Sequence, residues 1–220
     1  DVIHSGKGLP QAYTGKGVVT GIVDAGLDPN HVMFKREDGT SRVEYLTYYI
    51  QDNSSQSGIS GAWFNRATIS QFTTDDPTTF HGTHTLGTMA GGYKGSSKVA
   101  SLSDGKATVA TSANPYYGMA TESDIVASCG TLQDFFIALG MESVLDYADQ
   151  MKMPAVINLS LGGTTGPHDG TSMISEYMAL AEKQDKVIIC VAAGNEGDLP
   201  LVVSDTLTEG QTEIKSFIQP

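Results

Sequence analysis

Basic residues and long apolar runs are scarce in this sequence of 220 residues. Lys and Arg total 13 against 25 Asp and Glu, which gives a formal net charge of -12. Such a charge argues against nucleic acid or an anionic membrane surface as a partner. No apolar run approaches the ~20 residues that a membrane-spanning helix needs, and residues 1–5 carry neither the basic nor the apolar segment of a signal peptide. A mature exported chain and a fragment of a longer chain would both begin in this way. We predict no membrane span and a secreted or cell-envelope location.

Cysteine is scarce as well, with two in the chain. Cys129 and Cys190 lie in separate apolar runs, each typical of a buried strand. Free cysteine behaves as a small hydrophobe and is often buried. We therefore predict two buried apolar side chains rather than a disulfide or a metal-binding pair.

Short apolar runs that alternate with amphipathic segments are abundant, in a chain long enough to bury the core of one domain. Strands are predicted at residues 17–24, 42–50, 124–130, 155–163 and 187–194, and helices at residues 81–92, 135–148 and 172–183. Polar segments at residues 51–61 and 92–115 are predicted to be loops. This alternation is typical of an α/β fold, a parallel sheet with helices on both faces.

The segment at residues 81–92 is unusual for a helix because it is rich in glycine. Leu86, Met89 and Ala90 recur at helical spacing, yet the segment also contains Gly82, Gly87, Gly91 and Gly92. Each glycine costs about 1 kcal/mol in a helix relative to alanine. We expect a helix packed so closely that side chains would not fit. His81 at its first turn would be held rigidly with its ring free, which suits a general base.

Polar residues follow several predicted strands, where the ligands of parallel α/β sheets bind. Asp24 ends the first strand, residues 160–162 follow a later one, and Asn195 follows the last. Singly, Asp24 is also explained as a turn cap and Asn195 as a turn residue. Together with His81 they form the set that supports a serine nucleophile: an Asp that orients the imidazole, a His base and an Asn that donates to an oxyanion.

Four segments with these residues resemble the subtilisin-like serine proteases, or subtilases. They read GIVDAGLD at residues 21–28, HGTH at 81–84, INLSLGG at 157–163 and AAGNEG at 192–197, so the resemblance spans roughly residues 15–197. It implies a subtilisin-like fold and a serine endopeptidase that hydrolyses proteins or peptides. Asp24 would be the aspartate of the catalytic triad, His81 its base and Asn195 the side-chain donor to the oxyanion.

The resemblance also implies where the substrate binds. Ser160, Leu161 and Gly162 would form an edge strand that pairs with the substrate peptide, beside Ala193 and Gly194. Glu196 lies near this pocket and either favours a basic substrate side chain or is simply solvated. No cofactor is implied. Structural calcium occurs in the family, but no segment here specifies a calcium site.

The nucleophile of the family is missing from its usual context. It lies downstream of the Asn in a Gly-Thr-Ser turn that opens a long buried helix, whereas only Ser204 and Ser216 follow Asn195, neither in that context. Residues 170–173 read GTSM, but Ser172 there is better explained as the N-cap of a helix with Glu176 in its first turn.

We therefore interpret residues 1–198 as the N-terminal portion of a subtilisin-like peptidase domain, incomplete at its C-terminus. Residues 199–220 alternate apolar and polar residues and would begin a β-rich insertion or a linker. The chain alone should be inactive, and it should associate with itself through the apolar face that the missing helix would cover.

Two alternatives remain at this stage. One is a non-catalytic subtilase-like module that binds peptides at residues 160–162. The other is a metallohydrolase that uses His81 and His84, although a zinc site needs a third protein ligand. For His84 we favour a buried, hydrogen-bonded structural role.

Overall fold

The computed structural model describes residues 2–72, 74–75, 79–164, 166–167, 169–198 and 208–210. The strands are β1 (Val19–Asp24), β2 (Val43–Gln51), β3 (Ile59–Asn65), β4 (Ser96–Ser103), β5 (Lys106–Ala113), β6 (Asp124–Gly130), β7 (Ala155–Leu159) and β8 (Val187–Val191). The helices are α1 (His81–Ala90), α2 (Asp134–Met151) and α3 (Met173–Ala181). In these ranges, none of the helices has the length and apolar character that crossing a bilayer requires.

Six strands form the main sheet, in the order β3-β2-β6-β1-β7-β8. Neighbouring strands are parallel except β2 and β3, which are antiparallel. The carboxyl ends of the central strands are level, since Asp24 is in register with Cys129 and Leu159 with Val191. The residues that follow β1, β6, β7 and β8 therefore lie along one edge of the sheet.

Helices cover both faces of this sheet, as the sequence predicted. Along β1, Ile22 faces a core shared with Leu86 of α1, whereas Val23 faces the opposite core with Val144 of α2. The alternation follows from the strand period of two residues. α3 packs on the same side as α2, where Ala181 is buried.

Two predicted loops contain strands instead. Residues 59–65 form β3, which pairs with residues 45–51 of β2, and residues 96–113 form the antiparallel hairpin of β4 and β5. The hairpin turn is Asp104-Gly105, both with positive φ, and this dipeptide is a strong signal for a two-residue hairpin turn. The prediction failed because Ser, Ala and Thr give these exposed strands little apolar contrast.

β8 differs from its prediction in burial. It was expected to be buried, but Ile188 is 57% exposed and Cys190 is also exposed. Cys129 is buried, as predicted, and both cysteines are free thiols. The reason is position: β8 is the last strand of the sheet, and on the α1 side Ile188 and Cys190 lack a covering element in the described part of the chain.

Arg42 ties the far end of α1 to the sheet. Its buried guanidinium donates to the carbonyl oxygens of Ala90, Ala120 and Ser123. Ala90 is the last residue of α1, so Arg42 satisfies a carbonyl that the helix leaves without a partner. This anchor lies at the edge opposite to Asp24, because Arg42 precedes β2 and Ser123 precedes β6.

Candidate active site

Asp24 ends β1 as a buried carboxylate. Its side chain is 2% exposed. One oxygen, Oδ1, accepts a hydrogen bond from the backbone N–H of Ala25 at 2.8 Å, and both oxygens face the ring of His81. The carboxylate is thus fixed in orientation by its own turn before it meets the imidazole.

His81 is the first residue of α1, and its Nδ1 lies 2.8 Å from Oδ2 and 3.0 Å from Oδ1 of Asp24. The preceding residue, Phe80, has φ 49° and ψ 35° and makes no side-chain cap. The left-handed backbone at Phe80 is uncommon for a non-glycine residue and turns the chain sharply into the helix. The side chain of His81 is 48% exposed, so Nδ1 is held by Asp24 while the ring stays open to solvent.

Close packing of α1 on the turn after β1 holds this pair together. A methyl group placed on Gly82 would lie 1.9 Å from the carbonyl oxygen of Gly26 and 3.1 Å from Cβ of Asp24. Thr83 adds a direct tether, because its Oγ1 accepts from the N–H of Asp28 at 2.8 Å and donates to Asp75. The expected close packing is present at Gly82, whereas a methyl group on Gly87 would meet nothing within 4 Å.

Burial raises the pKa of Asp24 above its ordinary value of 3.8, and the hydrogen bonds from His81 and Ala25 oppose this only in part. A raised pKa means that the folded protein takes up this proton at a higher pH than the unfolded chain. The stability due to that uptake is fully present below pH 3.8 and is lost as the pH rises through the folded-state pKa. At neutral pH the ionised Asp24 therefore weakens the fold.

This linkage predicts how Asp24→Asn changes stability with pH. Asn cannot ionise, so the variant should gain stability relative to the parent as the pH rises from about 3 to about 6. Urea unfolding of both proteins across that range measures the difference, in which the groups that do not interact with Asp24 cancel. A difference that stays constant or shrinks with rising pH would contradict the raised pKa.

The segments after β7 and β8 lie side by side at the same edge. Ala192 N–H donates to the carbonyl of Leu159 at 3.0 Å, and a methyl group on Gly162 would lie 3.5 Å from Cα of Gly194. β7 is shorter than the strand predicted at residues 155–163, because it ends at Leu159. Ser160, Leu161 and Gly162 continue without a strand partner in the described part of the chain.

Asn195 follows these segments and is exposed. Its N–H donates to Oε2 of Glu196 at 2.8 Å, and that carboxylate also lies 3.8 Å from the position of a methyl group on Gly162. Glu196 therefore places a negative charge where the two segments meet. The structure brings Asp24 and His81 together, while no hydrogen bond joins Asn195 to either of them among the described residues.

Two other predictions concern residues near α1 and α3. His84 is exposed, so the expectation of a buried structural histidine is wrong. It lies on the face of α1 that points away from the core that Leu86 and Ala90 enter. Ser172 is the N-cap of α3, as predicted: its Oγ accepts from the N–H of Ser175 at 3.2 Å, with Glu176 in the first turn. The β-rich pattern predicted for residues 199–220 lies, apart from residues 208–210, outside the described residues.

The residues that position the pair were not predicted from the sequence. Phe80 and Thr83 carry no chemistry of their own, and their roles depend on contacts between segments far apart in the chain. Only the Thr in the HGTH segment offered a signal, since a hydroxyl at the start of a helix is free to bond a neighbouring loop.

Comparison with known proteins gives consistent matches. The sequence model of the subtilase family of peptidases matches residues 15–215. Subtilisin E of Bacillus subtilis (strain 168) is 29% identical over 187 residues, covering 85% of this chain and 36% of the relative. Subtilisin of Bacillus pumilus is 28% identical over 187 residues, covering 85% of this chain and 50% of the relative.

Solved structures agree in fold. The CspB protease of Clostridium perfringens superposes with a TM-score of 0.61 at 26% identity, over 84% of this chain and 38% of that chain. Sphericase superposes with a TM-score of 0.52 at 22% identity, over 89% of this chain and 52% of that chain, and supports the fold alone. The chain thus spans between about a third and a half of the length of these relatives.

Proposed function

Because the chain belongs to the subtilase family, we propose that it acts as part of a serine endopeptidase of the subtilisin type that hydrolyses proteins or peptides. The observation that carries the proposal is the hydrogen bond between Nδ1 of His81 and the buried carboxylate of Asp24, with the ring half exposed. A histidine held at Nδ1 with its ring open to solvent leaves Nε2 free to take a proton, which is the arrangement a general base needs.

In the proposed reaction, Nε2 of His81 takes the proton of the serine hydroxyl as its oxygen attacks the substrate carbonyl carbon. The same proton then passes to the leaving amine, and water hydrolyses the acyl-enzyme by the reverse path. Asp24 fixes the tautomer with hydrogen on Nδ1 and stabilises the charged imidazole. Asn195 would donate its side-chain N–H to the oxyanion, from its place after β8 at the same edge.

The substrate would lie along residues 160–162, whose backbone groups are unpaired in the described part of the chain and free to pair with a peptide. Ala193 and Gly194 would form the opposite wall of the first pocket. Glu196 stands where these segments meet, so we propose a preference for a Lys or Arg side chain next to the scissile bond.

The nucleophile is proposed to lie in sequence beyond residue 220, in a Gly-Thr-Ser turn. A fluorophosphonate probe tests this, because it bonds to an activated serine oxygen with loss of fluoride. The longer protein should be labelled at that serine, and residues 1–220 alone should take up no label. A longer protein that is folded but unlabelled would favour the peptide-binding alternative.

Ser172 provides the internal control for this labelling. As the N-cap of α3 it should not react, and Ser172→Ala should leave labelling of the longer protein unchanged while lowering stability by about 1 kcal/mol. A probe adduct mapped to Ser172 by mass spectrometry would overturn both its capping role and the proposed location of the nucleophile.

We further propose that the open face of β7 and β8 makes isolated residues 1–220 self-associate. Ile188 and Cys190 are exposed there, beside half-buried Val156. Burying apolar surface contributes roughly 25 cal/mol per Å², and repulsion from the net charge of -12 is screened within about 8 Å at physiological salt.

Light scattering over a concentration series measures this association. Ile188→Ser should reduce it, whereas Leu180→Ser, on α3 and 60% exposed, removes a similar side chain from another surface and should not. A protein that stays monomeric at every concentration and binds no apolar dye would contradict the proposal. The domain boundary at residue 199, structural calcium and the secreted or cell-envelope location stay predictions.

A further inference from the structure

A cavity of about 1010 Å³ opens at the edge of the sheet opposite to Asp24 and His81. Its lining includes Lys16 before β1, Arg42 before β2, Glu122 before β6 and Lys94 after α1. These positions all lie at the amino ends of the parallel strands or beyond the last turn of α1. The cavity is therefore separate from the candidate active site, with the length of α1 between them.

Basic residues outnumber acidic residues in the lining of this cavity, although acidic residues outnumber basic ones in the whole chain. Five of the 13 basic residues line it, namely Lys16, Lys35, Arg36, Arg42 and Lys94, but only three of the 25 acidic residues do. The lining residues thus carry more positive than negative charge in a chain of net charge -12, a balance that favours an anion over a cation in the cavity.

The lining cations are mostly not neutralised by neighbouring carboxylates. Within the described residues, Arg36 alone among them forms ion pairs, with Glu44 and Asp124. Lys35 has only the amide oxygen of Asn30, at 3.4 Å. Lys16 and Lys94 are exposed and make no side-chain hydrogen bond or ion pair in the same part of the chain.

Two of the three acidic residues of the lining accept hydrogen bonds from hydroxyl groups. Glu122 accepts from Oγ1 of Thr14 at 2.6 Å, and Asp38 accepts from Oγ1 of Thr40 at 2.6 Å. The two carboxylates therefore have hydroxyl partners, while Lys16 and Lys94 have no side-chain partner in the described part of the chain.

Arg42 adds a buried cation whose hydrogen-bond acceptors are all uncharged, being carbonyls and the Ser123 hydroxyl. Burial, and then the positive charge of Arg36, lower the pKa of Arg42 to about 10. A negative charge in the cavity would stabilise this guanidinium through space, since Coulomb interactions are stronger near a low-dielectric interior than in water.

We propose that this cavity binds a polyvalent oxyanion, a small molecule that carries phosphate or carboxylate groups. Several charges are needed because Lys16, Lys35 and Lys94 are separate cations and the chain as a whole repels anions. The cavity volume also matches small-molecule sites, which span about 300–1,000 Å³, rather than a single ion.

Calorimetric titration of the full-length protein tests the proposal, with tripolyphosphate and with citrate as the two probes. One equivalent of at least one probe should bind, and binding should weaken between about 50 mM and about 200 mM NaCl. A preference of about tenfold or more for one probe identifies the group as phosphate or carboxylate, and equal binding shows that the site reads charge alone. Failure of both probes to saturate at low salt overturns the proposal.

Matched variants locate the binding. Lys16→Gln and Lys94→Gln should each weaken it about tenfold, because each removes one charge-assisted hydrogen bond. Lys183→Gln, an equal change of charge at an exposed site after α3, should leave it unchanged, as should His81→Ala. Equal losses of probe affinity in Lys94→Gln and Lys183→Gln would mean that the probe is attracted by the charge of the whole surface rather than bound in the cavity, and would overturn the proposal. Since binding is read without peptidase activity, this result is independent of the proposed function.

Discussion

His81→Ala in the full-length protein is expected to lower kcat/KM for a peptide substrate by about 10⁵-fold or more. Without the imidazole, no group takes the serine proton or returns it to the leaving amine. Asp24→Asn should lower kcat/KM by about 10⁴-fold, because an amide no longer selects the tautomer that leaves Nε2 as acceptor. Steady-state kinetics with a peptide substrate, after titration of active sites to exclude traces of the parent, measures both losses.

His84→Ala is the matched control for this experiment. His84 lies on the same helix and is exposed, and no hydrogen bond joins its side chain to Asp24 among the described residues. Its removal should leave kcat/KM within about twofold of the parent and stability within about 0.5 kcal/mol. Losses of similar size in His84→Ala and His81→Ala would show that damage to α1, rather than loss of a base, explains the effect.

Gly82→Ala is expected to destabilise the protein by about 3 kcal/mol or more. The added methyl group would lie 1.9 Å from the carbonyl oxygen of Gly26, a backbone atom that cannot move without displacing the turn after β1. Because Asp24 begins that turn and His81 begins α1, relief of the clash would separate the pair. Chemical unfolding gives the loss of stability, and kcat/KM of the full-length variant should fall with it.

Gly87→Ala tests whether the effect comes from the clash. Gly87 lies in the same helix with open space around the added methyl group, so alanine there should stabilise the protein by up to about 1 kcal/mol. The two substitutions are chemically identical and differ only in what the methyl group meets. Equal destabilisation by both would argue that α1 does not pack on the turn as described.

The contact between Asp24 and His81 was predictable because its determinants are local. Asp24 ends an apolar strand and His81 begins a helix, and the ends of strands in a parallel sheet meet at one edge. The same locality explains β6, whose observed bounds equal the predicted ones. Residues 51–61 were predicted to be a loop because Ser60 and Gly61 have low strand propensity. The strand β3 begins there nevertheless, because it is stabilised by pairing with β2 rather than by its own pattern of residues.

Exposure was the harder property to predict. β8 is an apolar run, and an apolar run predicts burial without saying which element covers each face. For His84 the error was the opposite one, because burial was predicted and the side chain is exposed. A histidine in an apolar, glycine-rich helix is compatible with a buried or an exposed face. The exposure of β8 and that of His84 both depend on neighbours that are distant in sequence. The local pattern of apolar and polar residues carries no information about those neighbours.

The Asp24–His81 hydrogen bond joins residues 57 positions apart in the chain, one from a strand and one from a helix. Neither segment can form it alone, so the pair is assembled only when α1 has docked on the turn after β1. In the proposed peptidase, a nascent or partly unfolded molecule would hold every one of these residues and still lack a working base. Peptidase activity would then appear only after the tertiary structure has formed. Partly folded molecules would therefore not digest one another.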